Sequence, residues 1–233
     1  METKIFYSKE QLARFFGDYL SSLTQENEQV NIALSGGSTP ETIFDMLSQE
    51  YRETVNWDKI RFFWGDERCV PPGDPESNFN MTHQHLFSLL PVSENNIFRI
   101  KGELPPQEAL KDYREVIDNE LPKNGGLPLF DVVLLGMGDD GHTASVFPHE
   151  IDLWDSSELC EIGTHPTSGQ KRVTLTGKVI NNAREIVFLV TGKNKAEKVD
   201  EILNEKGDYQ KYPAARVNRD KSLWLLDQEA VVS

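Results

Sequence analysis

The chain has 233 residues, of which 27% are charged, and a formal net charge of −14 at pH 7. This length suits one hydrophobic core, so we expect a single α/β domain over residues 1–233. The acidity argues against nucleic acid or an anionic membrane as the main partner, because both are bound largely through Lys and Arg. A small anionic ligand is compatible with this charge, since it needs only a few well-placed donors.

The cysteine content and the N-terminal sequence further restrict the class of protein. The two cysteines, Cys69 and Cys160, lie far apart and match no zinc or redox spacing, so we expect neither a disulfide framework nor a metal site. The N-terminus lacks a basic start followed by a long apolar run, and no stretch approaches the ~18 apolar residues of a membrane span. The sequence therefore predicts a cytoplasmic protein without a membrane partner.

Strands and helices alternate along the predicted structure. Ser8 followed by Gln11 is a capping-box pattern, and helical periodicity continues from there to about residue 24. Val30–Leu34 is a short apolar run that predicts a buried parallel strand. The later elements are predicted as strand 60–64, helix 78–90, helix 107–121, strand 130–135, strand 172–175, strand 185–190, helix 194–204 and strand 222–226.

This alternation predicts a three-layer α/β fold, a mostly parallel sheet with helices on both faces. In such sheets ligands bind beyond the carboxyl ends of the strands. The residues that directly follow each strand are therefore the first candidates for a functional site.

The first candidate segment is Ser-Gly-Gly-Ser-Thr-Pro at 35–40. Its glycines allow the backbone to approach a ligand, and the helix opened by Pro40 presents unpaired N–H groups and a positive dipole end, which suit a phosphate. Ser38 is predicted as the N-cap of that helix, with Glu41 as its capping-box partner. The segment is neither a Walker P-loop nor a dinucleotide fingerprint. The competing interpretation is a well-capped turn without a ligand.

The second segment, Gly-Asp-Glu-Arg-Cys at 65–69, closes the strand at 60–64. Its adjacent charges are hard to bury, so we expect them to face a cleft or solvent. The planar fork of Arg68 can bind phosphate or stabilise an oxyanion. Cys69 is expected to pack rather than to act as a nucleophile, because no base stands at a catalytic spacing.

The third segment, at 136–145, follows the most apolar strand and contains His142. Histidine titrates near neutral pH and can take a proton from water, while Asp140 can fix its tautomer. Ser145 is not expected to be a nucleophile, because the chain has no Gly-x-Ser-x-Gly elbow. The remaining histidines are expected at the surface or in packing: His83, His85, His149 and His165.

The fourth candidate feature is a pair of cations near strand ends, Arg172 and Lys195. Lys195 stands where a strand passes into a helix, so its side chain can reach back across the strand ends. Each can equally be a solvated surface cation. In so acidic a chain, however, cations at strand ends support an anion site.

Taken together and in this order, these segments resemble the 6-phosphogluconolactonase family of the glucosamine/galactosamine-6-phosphate isomerase superfamily. The matching motifs are Leu-Ser-Gly-Gly-Ser-Thr-Pro at 34–40, Trp-Gly-Asp-Glu-Arg at 64–68, Ser-Asn at 77–78, Gly-Asp-Asp-Gly-His-Thr-Ala-Ser-Val-Phe-Pro at 138–148, Arg-Val-Thr-Leu-Thr at 172–176 and Pro-Ala-Ala at 213–215. The resemblance implies a modified Rossmann-like fold. It also implies hydrolysis of 6-phospho-D-glucono-1,5-lactone to 6-phospho-D-gluconate in the oxidative pentose phosphate pathway, without a metal or an organic cofactor.

The resemblance also implies roles for individual residues. His142 would activate the attacking water with help from Asp140, and Arg68 would stabilise the carbonyl oxyanion. A sugar-phosphate lactone would be the partner, held by Gly36, Gly37, Ser38, Thr39, Asp66, Asn78, Arg172 and Lys195. The oligomeric state is left open.

Two alternative functions share this fold. Glucosamine-6-phosphate deaminases carry a tyrosine after the Asp-Glu pair and a glutamate before the proline of the Gly-His segment, where this chain has Arg68 and Phe147. A sugar-phosphate sensor would keep the turn at 35–39 but would not need Asp140 beside His142. Arg68 and Phe147 favour the hydrolase over the deaminase, and the pairing of Asp140 with His142 favours it over the sensor.

Overall fold

The computed structural model describes residues 1–231. Its strands are β1 (Glu2–Phe6), β2 (Val30–Leu34), β3 (Ile60–Trp64), β4 (Asp66–Arg68), β5 (Lys123–Asn124), β6 (Leu127–Pro128), β7 (Val132–Leu135), β8 (Cys160–Thr164), β9 (Lys171–Leu175), β10 (Glu185–Val190) and β11 (Ser222–Asp227). Its α-helices are α1 (Lys9–Glu26), α2 (Ser38–Glu50), α3 (Asn78–His85), α4 (Pro106–Glu120), α5 (Gly177–Asn182) and α6 (Ala196–Leu203). Within these residues no helix is both long and apolar enough to cross a bilayer.

A six-stranded parallel sheet forms the centre of the molecule, in the order β1-β11-β10-β7-β2-β3. Helices flank it, so the predicted α/β class with a mostly parallel sheet is confirmed. β2 and β7 are buried along their whole length, which explains their continuous apolar sequences. Because β10, β7, β2 and β3 are neighbours and run in the same direction, their carboxyl ends meet at one edge of the sheet.

A second, three-stranded antiparallel sheet has the order β4-β9-β8. The strand predicted at 172–175 belongs to this sheet and not to the parallel one. β8 escapes prediction because Glu161 and Gly163 interrupt its apolar pattern. β1 escapes prediction because it is a largely exposed edge strand.

The prediction that the charges at 66–68 face a cleft or solvent is wrong for Glu67. These residues form β4 rather than a loop, and only 2% of Glu67 is exposed. Pairing with β9 satisfies the backbone groups, so the segment can be buried at little cost.

The start of α2 also differs from the prediction. Gly37, with φ 105°, is the N-cap, and Ser38 lies inside the first turn, where no side chain caps the helix. The left-handed conformation of Gly37 turns the chain one residue earlier than a serine cap would. The capping prediction for Ser38 and Glu41 is therefore wrong, and the first N–H groups of α2 remain available to a ligand.

At α1 the predicted cap is present in altered form. The Oγ atom of Ser8 accepts from the backbone N–H of Gln11 at 3.4 Å, while Oε1 of Gln11 accepts from the N–H of Tyr7 at 3.2 Å. Two predicted helices are shorter than expected, because α3 ends at His85 before a separate 3-10 turn, and α6 begins only after a 3-10 turn at Lys193–Lys195.

Candidate active site

A cleft of about 240 Å³ lies where the segments after β2 and β7 meet the end of β10 and one face of the small sheet. It brings together ten of the residues singled out in the sequence: Gly36, Gly37, Ser38, Thr39, Asp66, Arg68, Asn78, His142, Arg172 and Lys195. Asp140 does not line the cleft, but its carboxylate is hydrogen-bonded to the imidazole of His142. Residues that are far apart in sequence thus meet around one cavity at the carboxyl ends of the parallel strands, where ligands bind in such sheets.

The turn before α2 packs closely against Asn78. A Cβ atom added to Gly36 would lie 1.9 Å from Oδ1 of Asn78, so no side chain fits there. Asn78 is buried, and its Nδ2 donates to the backbone oxygen of Asp66 at 2.9 Å. This contact connects the helix start at 38–39 to the small sheet.

His142 and Asp140 form a hydrogen-bonded pair. Nδ1 of the imidazole lies 2.6 Å from Oδ1 of Asp140, and the same oxygen accepts from the backbone N–H of His142 at 3.1 Å. The contact occupies Nδ1, which leaves Nε2 as the ring nitrogen available for proton transfer. The imidazole also packs against the buried ring of Phe147, with 4.6 Å between ring centroids.

Gly138 makes room for this pair. A Cβ atom at this position would lie 2.1 Å from Nδ1 of His142 and 2.8 Å from Oδ1 of Asp140. The backbone N–H of Gly138 donates to the carbonyl of His142 at 2.9 Å, which closes the loop around the ring. Gly138 therefore positions the histidine although it carries no side chain.

Alternation along β4 assigns different roles to its acidic residues. Asp66 and Arg68 lie on one face of the strand and line the cleft, whereas Glu67 points to the other face. The carboxylate of Glu67 accepts from the N–H groups of Asn78 at 2.7 Å and Phe79 at 2.8 Å. Burial raises the pKa of Glu67, although these donors oppose the shift. Glu67 therefore caps α3 and does not line the cleft.

Two arginine side chains lie side by side on one face of the small sheet. Arg68 and Arg172 are directly paired between β4 and β9, so their side chains lie on the same face. Arg68 donates to the backbone oxygen of Glu76, and Nε of Arg172 donates to Oε1 of Gln170 at 3.2 Å. Burial, together with the charge of Arg68, lowers the pKa of Arg172. The Nε of Arg68 is buried without a partner among the described residues, which leaves it a donor for an anion.

Lys195 approaches the cleft from the turn before α6. Its ammonium pairs with Oδ1 of Asp139, which also accepts from Nδ2 of Asn194 at 2.8 Å. Only 19% of the Lys195 side chain is exposed. The ion pair ties the cation to the loop that carries His142.

Two polar residues to which the sequence assigned no role have contacts at this site. The Oγ1 atom of Thr191, which directly follows β10, lies 2.8 Å from Oγ1 of Thr39, and both residues line the cleft. The buried hydroxyl of Ser145 donates to Oδ2 of Asp66 at 2.6 Å. Thr191 directly follows a parallel strand, which is where ligands are expected to bind. The Ser145 contact joins segments 79 residues apart, so no local sequence pattern predicts it.

The other candidate groups have structural contacts. His149 and His165 pack around Phe147, with 5.8 and 5.5 Å between ring centroids, and Nδ1 of His85 lies 2.8 Å from Oδ1 of Asp45. Burial raises the pKa of the Cys69 thiol. Within residues 1–231 no three His, Cys, Asp or Glu side chains are grouped so as to hold a metal ion.

The Asp140–His142 contact predicts a pH-dependent contribution to stability. Burial raises the pKa of Asp140, but the hydrogen bond and charge of His142 outweigh it and lower the pKa from 3.8 to about 2. The stabilisation is therefore present above about pH 4 and is lost as the pH falls towards 2. We expect Asp140→Asn to lower the free energy of unfolding at pH 5–6, with a difference from the parent that shrinks towards pH 2. Urea unfolding across this range measures it, and a constant difference contradicts it.

Comparison with known proteins places this site in a family. The sequence model of the glucosamine-6-phosphate isomerases/6-phosphogluconolactonase family matches residues 8–225. The chain belongs to this family. The resemblance noted from the motifs is thereby confirmed.

Relatives within the glucosamine-6-phosphate isomerase/6-phosphogluconolactonase family are similar over most of their length. A 6-phosphogluconolactonase of Treponema pallidum (strain Nichols) is 47% identical, over 88% of this chain and 85% of the relative. One of Haemophilus influenzae (strain ATCC 51907 / DSM 11121 / KW20 / Rd) is 43% identical, over 89% of each chain. The crystal structure of 6-phosphogluconolactonase from Thermotoga maritima has a TM-score of 0.84 at 26% identity, and covers 97% of this chain and 99% of that one.

Proposed function

We propose that the protein hydrolyses 6-phospho-D-glucono-1,5-lactone to 6-phospho-D-gluconate, the lactone-opening step of the oxidative pentose phosphate pathway. The observation that carries this proposal is His142, held by Asp140, in the same cleft as the uncapped start of α2 and two arginines. The relatives at 43–47% identity that are named 6-phosphogluconolactonase support the choice of substrate. The cleft draws on segments between residues 35 and 195, so we propose that residues 1–233 act as one domain.

The substrate phosphate is assigned to the start of α2. Backbone N–H groups there, together with the hydroxyl groups of Ser38 and Thr39, are donors, and a phosphate is an acceptor. Lys195 and Arg172 supply positive charge from the other walls of the cleft. Binding energy from the phosphate holds the lactone carbonyl in place for attack, which raises the rate and not only the affinity.

The chemistry is assigned to His142 and Arg68. Nε2 of His142 takes a proton from water as the water oxygen attacks the lactone carbonyl carbon, and Asp140 stabilises the resulting imidazolium. A guanidinium donor of Arg68 stabilises the oxyanion of the tetrahedral intermediate. When the intermediate collapses, the bond from the carbonyl carbon to the ring oxygen breaks. His142 returns its proton to that oxygen, giving a carboxylic acid that ionises and a hydroxyl group. Water is the only co-reactant in this scheme, so we propose that the reaction needs no metal or organic cofactor.

Two residues argue against the deaminase alternative. Phe147 is fully buried against the imidazole of His142, at the position where deaminases have a glutamate. Arg68 stands where they have a tyrosine and supplies a cation at the cleft. This chain therefore lacks the carboxylate expected for ring-opening acid/base chemistry and has an oxyanion donor instead.

A direct assay tests the proposed function. We expect the purified protein, with a chelator present, to hydrolyse freshly generated 6-phosphogluconolactone well above the spontaneous rate. Heat-inactivated protein provides the background, and alkali uptake at constant pH follows the acid released. A rate no higher than the background refutes the proposal, and release of ammonia from glucosamine 6-phosphate favours the deaminase instead.

A further inference from the structure

Two threonine hydroxyl groups from different elements meet in the cleft. Thr39 lies in the first turn of α2, and Thr191 directly follows β10. Their Oγ1 atoms are 2.8 Å apart, both residues line the cleft, and only 7% of Thr191 is exposed. The backbone around Thr191 is fixed, because the N–H of Gly192 donates to both carboxylate oxygens of Asp227 at 2.9 and 3.2 Å.

The number of protons in this pair has a consequence for ligand binding. Each hydroxyl group has one proton, and the contact between the two oxygens uses one of the two protons. The other proton can be donated to a third group. A phosphate monoester is largely dianionic at neutral pH and presents several strong acceptor oxygens, so it complements the remaining donor.

We propose that Thr191 is a further phosphate-binding residue, and that the Thr39–Thr191 hydroxyl pair acts as one unit that donates a single proton to the substrate phosphate. This inference rests on the proposed function for the identity of the ligand. The pair joins the start of α2 to the segment that carries Lys195, four residues beyond Thr191. Phosphate binding therefore depends on both walls of the cleft at once.

The test compares variants that remove or keep the hydroxyl group. Thr191→Val should raise KM for the lactone about tenfold, as expected for one hydrogen bond to a charged group, with kcat within about twofold. Thr191→Ser, which keeps the hydroxyl, should restore KM to near the parent value. Thr24→Val is the matched control, because Thr24 is buried and hydrogen-bonded in α1 but lies outside the cleft. It should leave KM unchanged.

The paired behaviour is tested by a double-mutant cycle. If the two hydroxyl groups act as a unit, the Thr39→Val and Thr191→Val effects on KM will not multiply, and the double variant will resemble the more impaired single variant. Fully multiplicative effects would refute the proposal that the two hydroxyl groups act as one unit. An unchanged KM in Thr191→Val would refute the role of Thr191 in phosphate binding.

Calorimetric binding of 6-phosphogluconate separates this inference from the proposed function. A Kd about tenfold weaker in Thr191→Val supports the inference even if the parent protein shows no lactone turnover, which would refute the proposed function alone. If the parent protein hydrolyses the lactone but the parent and the Thr191→Val variant bind 6-phosphogluconate with equal Kd, the proposed function is supported and the role of Thr191 is refuted.

Discussion

Replacing His142 with alanine is expected to lower kcat for lactone hydrolysis by about 10²- to 10⁴-fold, the usual contribution of a positioned general base. The imidazole lines the cleft, and its Nδ1 atom lies 2.6 Å from Asp140, so Nε2 is the atom left to accept a proton from water. Initial rates corrected for spontaneous hydrolysis measure the effect. Alanine removes the ring but none of the proposed phosphate donors, so the affinity for 6-phosphogluconate should stay within about threefold of the parent value.

His149→Ala is the matched control for this experiment. His149 packs against the same aromatic residue, Phe147, but does not line the cleft, so its loss should leave kcat near the parent value. Equal kcat values for His142→Ala and the parent protein would show that another group activates the water. A parallel loss in both variants would instead indicate damage to the packing around Phe147.

Gly138→Ala is expected to lower kcat by about 10²-fold although it removes no functional group. The added methyl group would lie 2.1 Å from Nδ1 of His142 and 2.8 Å from Oδ1 of Asp140, so the ring must move. Displacement of a catalytic group by about 1 Å can reduce a rate by this factor. The variant should bind 6-phosphogluconate with nearly unchanged Kd, because the proposed phosphate donors lie on other segments. Steady-state kinetics and calorimetry together measure the split between kcat and binding.

Gly73→Ala is the matched glycine control. Space is open around this position, with no atom within 4 Å of an added Cβ, so kcat and the melting temperature should be unchanged. A Gly138→Ala protein with normal kcat would mean that the loop accommodates the methyl group without moving His142. If the variant instead loses both activity and 6-phosphogluconate binding, the substitution has disrupted the fold and the positioning role is not supported.

Much of this site was predictable because a parallel sheet collects its strand ends at one edge. The segments at 35–39 and 136–142 follow strands with strong apolar patterns, β2 and β7, and the rule that ligands bind beyond such ends brings them together. The segment that follows β10 was singled out for Lys195, whereas Thr191 in the same segment has a small neutral side chain that composition does not mark as a ligand-binding residue.

The remaining features depend on pairing between distant segments. Three charged residues in a row are typical of a wet loop, and only pairing with β9 makes 66–68 a strand whose alternation separates Glu67 from its two neighbours. The start of α2 depends on the backbone conformation of Gly37, which composition does not reveal, so the sequence favoured a serine cap. The contact of Ser145 with Asp66 likewise requires the tertiary fold.

The neighbouring side chains of Arg68 and Arg172, which both line the cleft, link ligand binding to the stability of the folded chain. Their mutual repulsion opposes folding, and we expect an anion bound in the cleft to reduce it. A ligand that binds only the folded state raises the free energy of unfolding, by about 2.7 kcal/mol when its concentration is 100 times Kd. We therefore expect the folded protein to resist heat and proteolysis better when an anionic ligand occupies the cleft than when the ligand is absent.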